Sequence, residues 1–212
     1  MGRPIMKAIR RPIVRAMRKP IAKAIAKPIA KGLVSGLLGG LAASWIMNQF
    51  QMSTSKLVQN KQKPHGGQSV QEGSPQHGIG AELQELGIDD SDDNAAERTA
   101  NIIAVKAFDR ELSESEKHAS GDVSHYAFGA TTGALYGMAA EFIPEVTVGA
   151  GLPFGAAVWL VADEIVVPAL GLSRGPTQIP VSKHSISLAA HLVYGVTTDI
   201  VRRVARNALN AA

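Results

Sequence analysis

Two histidines and two adjacent carboxylates are the residues of this 212-residue chain best suited to chemistry: His125, His191, Asp163 and Glu164. Each sits in or at the edge of an apolar stretch. Histidine changes charge near neutrality, so a histidine beside a carboxylate can relay protons. The same donor types can hold a divalent cation, although no metal site is assigned from them. They can also simply hydrogen-bond to one another across a helix bundle, and this structural use is the expected one. Ionisable groups in apolar spans are costly and are paired, buried or functional. Glu141 and Asp199 are two further acids of this kind. Trp45, Trp159, Tyr136 and Tyr194 read as packing or interface anchors. The chain carries no phosphate loop, zinc-protease helix, nucleophile elbow or dinucleotide fingerprint; Gly149-Ala-Gly151 is only a fragment of the last. With no cysteine, thiolate chemistry and disulfides are excluded. No enzyme activity and no cofactor are expected.

The elements that position these residues show in the small residues. Gly32, Gly36, Gly40, Ser44 and Asn48 recur every fourth position in the first apolar stretch. His125, Gly129, Gly133, Gly137 and Glu141 do so in the second, and Ser187, His191, Gly195, Asp199 and Arg203 in the last. Residues four apart share a helix face. Small residues there let backbones approach closely in lipid, where apolar side chains alone give helices no reason to associate. Gly151 and Gly155 extend this glycine-zipper pattern to the third stretch.

The net charge of +4 conceals an asymmetry. Residues 1–31 hold ten Lys or Arg and no acid, whereas residues 53–123 hold seven basic and thirteen acidic residues. The basic segment repeats with period eight (RPIMKAIR, RPIVRAMR, KPIAKAIA, KPIAKGLV), and cations and aliphatics fall two positions apart on opposite faces. Proline disfavours helix in the residue before it, so Pro4, Pro12, Pro20 and Pro28 are each expected to start or kink a short helical piece. Such an arm suits an anionic lipid leaflet. Nucleic acid is disfavoured as its partner by the regular isoleucines.

The sequence predicts an all-α, four-helix transmembrane bundle with one amphipathic extramembrane helix. Its segments are a basic arm (1–31), a first span (32–52), a flexible polar loop (53–93), an amphipathic helix region (94–122), spans at 123–144, 146–172 and 185–204, and a tail (205–212). Asn94 with Glu97 and Ser113 with Glu116 form capping-box patterns, with a break expected at Gly121, and Pro153 is expected to kink the third span. The positive-inside bias puts both termini in the cytoplasm. An internal echo pairs His125-Tyr-Ala-Phe-Gly-Ala-Thr-Thr132 with His191-Leu-Val-Tyr-Gly-Val-Thr-Thr198 and suggests two helical hairpins in parallel repeat.

The stretches HYAFGATTGALYGMAAEFIPE, GAGLPFGAAVWLVADE, VPALGL and HLVYGVTTDIVRRVAR resemble the YagU-like family of bacterial inner-membrane proteins over about residues 120–206. The resemblance implies a small helical cytoplasmic-membrane protein with no established biochemical activity. It marks His125, Tyr136, Gly137, Glu141, His191 and Arg202 as family-like and assigns them no role. The function expected is a non-enzymatic integral membrane protein packed through glycine faces, with self-association left open. The alternative is a small oligomeric channel or transporter handling protons or ions through the His/carboxylate set.

Overall fold

The computed structural model describes residues 3–59, 95–173 and 176–211, and among these every regular element is helical. Helix α1 runs Arg3–Gln59, α2 Ala95–Phe108, α3 Glu114–Ala140, α4 Leu152–Ala169 and α5 Val181–Ala211. A short 3₁₀ turn, Pro144–Thr147, links α3 to α4.

Helix α1 is the centre of the assembly. It packs along both α3 and α5, while α4 lies on α5 and α2 lies on α3. The contacts are antiparallel. Gly32 meets Gly137 and Gly40 meets Gly129, whereas Lys31 donates to the Leu209 carbonyl (2.6 Å) and Gly39 faces Thr198. Gly151 and Gly155 meet Gly195 in the same antiparallel sense. The two hairpins, α1/α3 and α4/α5, therefore each close through glycines, with α3 and α5 parallel to one another.

The approach is at backbone distance. A Cβ placed on Gly32 would lie 2.6 Å from the Gly137 carbonyl oxygen, and one on Gly133 would lie 2.5 Å from that of Gly36 and 2.7 Å from the Gly40 Cα. Between the helices Tyr136 stacks on Phe154 with ring centroids 4.3 Å apart, and Tyr194 closes a small core with Ala43, Met47 and Ala190.

Several boundaries differ from those the sequence predicts. The prolines of the basic arm do not divide it: the helix is continuous through Pro4, Pro12, Pro20 and Pro28. One amide is lost every eight residues, and the remaining hydrogen bonds carry the helix on. It also continues to Gln59, past the expected loop start at 53. There the Ser53 and Thr54 hydroxyls bond back to the Gln49 and Phe50 carbonyls and so fit a helix.

The 94–122 region is not one unit. Helix α2 ends at Phe108, Asp109 turns with φ 51°, and α3 then runs unbroken through Gly121. Gly121 is a packing position: a Cβ there would lie 2.7 Å from Cγ of Glu97 on α2. Pro153 starts α4 instead of kinking it, because Gly149, Ala150 and Gly151, all at positive φ, break the chain just before. Helix α5 runs past both ends of the expected fourth span. The Asn94 cap and the rest of the polar loop, residues 60–93, lie outside the described residues.

Among the described residues two helical segments are long and apolar enough to cross a membrane, Ala24–Thr54 and Leu152–Ala169. Helices α3 and α5 do not meet that measure. The inward face of α5 explains its own shortfall, since it carries Ser187, His191, Thr198, Asp199 and Arg202.

Candidate functional site

Within α4, residues Trp159–Val166 wind as a π-helix, a form frequent at functional sites, and it ends where Pro168 follows without an N–H to donate. The widened turn lets the neighbours Asp163 and Glu164 both engage α5. The Asp163 carboxylate accepts a hydrogen bond from the Ser187 hydroxyl (2.6 Å), and His191 Nδ1 lies 3.7 Å from it. That nitrogen donates instead to the Ser187 carbonyl (2.9 Å), one turn back on its own helix. A carbonyl can only accept, so this bond places a proton on Nδ1.

Glu164 pairs elsewhere. It accepts from His184 Nδ1 (2.6 Å), while His184 Nε2 faces the Pro176 carbonyl (3.0 Å). Both partners are acceptors, an arrangement that favours the protonated ring. Burial opposes that charge, but Glu164 and the Pro176 carbonyl outweigh it and hold the His184 pKa above the ordinary imidazole value.

His125, Asp163 and His191 line one cavity of about 700 Å³ at the end of the bundle where α2 sits. Residues of all five helices contribute to it. The sequence thus places four residues together and the structure assembles three, with Glu164 turned to His184. Two of the lining residues each hold a buried atom, His125 Nε2 and Ser44 Oγ, with no hydrogen-bond partner among the described residues. At the inner end Tyr194 donates to the Gly129 carbonyl (2.6 Å) and lies 2.8 Å from the Thr132 hydroxyl, tying α5 to α3.

Helix α2 is held over this end. Arg98 is buried and donates to the Leu172 carbonyl beyond α4 (3.1 Å), Glu97 meets His118 Nδ1 (2.6 Å), and the Asn101 side chain accepts from the Leu112 amide (3.1 Å). The corner between α2 and α3 is locked by Glu116. Its pKa is held down at about 2, first by the Arg110 guanidinium and then by the amide and hydroxyl of Ser113.

The opposite end carries the other two acids. Asp199 is 1% exposed and accepts from Tyr136 (3.0 Å), Arg202 (2.9 Å) and Arg203 (2.7 Å). Glu141 takes two bonds from Arg206, at 2.5 and 2.7 Å. The Asp199, Arg202 and Arg203 spacing of three and four residues on one helix signals the first network. Nothing in the sequence signals the Glu141–Arg206 pair or the Glu164–His184 pair, which join distant segments.

Among the described residues no group of three or more His, Cys, Asp or Glu is arranged to hold a metal ion. A family model described as a protein of unknown function (DUF1440) matches residues 102–200, just under half of the chain, from within α2 to within α5. No curated protein and no solved structure matches.

Proposed function

We propose that the chain is an integral membrane protein in which α1, α3, α4 and α5 all cross the bilayer, with α2 on the outer surface and both termini in the cytoplasm. The observation that carries this is an inverted distribution of polarity. Ser35, Ser44, Ser187, His191, Thr198, Asp199 and Arg202 are buried, while Leu37, Leu41 and Trp45 on α1, Phe128 and Leu135 on α3, Leu160 and Ile165 on α4, and Ile200 and Val204 on α5 are exposed. Large exposed apolar surface on every long helix is what acyl chains would cover, and polar groups turned inward fit a spanning bundle. The basic residues of 1–31 would meet anionic lipid on the cytoplasmic side of a bacterial inner membrane. The YagU-like resemblance agrees with this placement.

The activity that fits best is non-enzymatic, structural or accessory to a partner. The glycine faces are occupied within the monomer, so any homo-oligomer would use another surface. Topology supplies the test. A cysteine at Glu111, exposed between α2 and α3, should react with a membrane-impermeant thiol reagent in intact cells, and one at Asn207 near the end of α5 should react only after lysis. Labelling of Asn207→Cys in intact cells would overturn the four-span arrangement.

A second reading has the cavity handle protons or small cations, and His125 Nε2, unpaired beside Asp163 and His191, favours it. Proteoliposomes would then show a pH-dependent flux that His191→Ala abolishes while the protein stays folded. On the structural reading His191→Ala lowers thermal stability and leaves permeability unchanged.

A further inference from the structure

We propose that the cavity binds a cationic amphiphile, a free long-chain primary alkylammonium that enters between α3 and α4 from the lipid side. This rests on the membrane reading above. The lining divides by polarity. Met52, Phe128, Val161 and Val166 line the cavity and are also 43–53% exposed on the molecular surface. The apolar wall is therefore continuous with the surface that would face acyl chains.

Behind it lie the two unpaired atoms. The Ser44 side chain is fully buried, and its Oγ and His125 Nε2 are each without a hydrogen-bond partner among the described residues. Leaving a buried polar group unpaired is costly, and a donor seated there would recover that cost. An ammonium head offers three N–H donors and no acceptor, and a hydroxyl oxygen and a neutral imidazole nitrogen both accept.

Charge selects the head group. The lining contains Asp122, Asp163, which accepts from Ser187, and Glu97, which meets His118, and it has no Lys or Arg, so a phosphate, sulfate or carboxylate head meets repulsion and an ammonium meets attraction. A primary amine attached to a phosphate, as on a phospholipid, brings that repulsion with it, which favours the free amine. A volume of about 700 Å³ is within the range of small-molecule sites.

The experiment uses the full chain in phosphatidylcholine nanodiscs with radiolabelled dodecylammonium, subtracting binding to empty discs. Saturable binding is expected that dodecyl sulfate does not displace and that added phosphatidylethanolamine does not abolish. Val161→Trp fills the mouth from an exposed position and should weaken binding at least about tenfold without altering the unfolding midpoint, since lost burial and head-group contacts amount to more than one decade of affinity. Asp163→Asn should weaken it similarly. Failure of the wild-type protein to bind saturably, equal competition by dodecyl sulfate, displacement by phosphatidylethanolamine, or unchanged affinity in Val161→Trp would each overturn the proposal. The thiol-labelling result stands apart from this assay. Correct labelling with no binding removes the site alone, and wrong labelling removes both readings.

Discussion

Gly133→Leu is expected to destabilise the bundle by about 3 kcal/mol or more, at the upper end of what overpacking costs. In most cores an added side chain is accommodated because flexible neighbours move. Here the neighbours are the Gly36 carbonyl oxygen and the Gly40 Cα and amide, which belong to a helix backbone. Relief requires α1 to move away from α3, and that separates the Gly32–Gly137 and Gly40–Gly129 approaches together. Leu135→Ala, two residues on and exposed, should change stability by only a few tenths of a kcal/mol. The check is the unfolding midpoint in mixed micelles followed by circular dichroism. Equal midpoints for the two variants would mean that the glycine stripe is not a contact face.

Asp199→Ala is expected to cost about 3–5 kcal/mol, the range for removing one member of a buried ion pair. The carboxylate accepts from three donors, and loss of it strands the Arg202 guanidinium, whose side chain is 9% exposed and whose Nε already lacks a partner among the described residues. The loss therefore exceeds the worth of the bonds themselves. Asp199→Ala combined with Arg202→Met should recover most of the stability, because no unpaired charge then remains buried. Arg203, half exposed, can turn to solvent in either variant. If the double variant unfolds as readily as the single one, the cost lies in lost packing against Tyr136 and not in stranded charge.

The parts of the architecture legible in the sequence are those carried by local periodicity. Glycine at every fourth residue marks a helix face whichever partner it meets, so the faces containing Gly32 and Gly129 could be read from spacing alone, whereas Gly151 packs on Gly195 from the turn before α4. Helix ends were harder. Pro28 looks like a break but lies within a helix, whereas Pro153 looks like a kink but lies at a start, and what separates them is the run of positive φ at Gly149–Gly151. Gly121 looked like punctuation because its role depends on Glu97, a residue of another helix. The candidate site was legible as a set of residue types converging on one end. Its pairing was not, since the π winding that turns Asp163 toward Ser187 and Glu164 toward His184 leaves no mark in composition.

The central position of α1 has a consequence for the cost of assembly. Helices α4 and α5 are joined by a connection of about a dozen residues, so bringing Gly155 to Gly195 loses little loop-closure entropy. Helix α1 reaches α3 only across residues 60–113, and α5 only across nearly the whole chain. The C-terminal hairpin therefore closes at the smallest loop-closure cost, and the docking of α1 into the groove between α3 and α5 carries the largest. Until α1 docks, its glycine stripe is a small-residue face that the folded protein no longer displays.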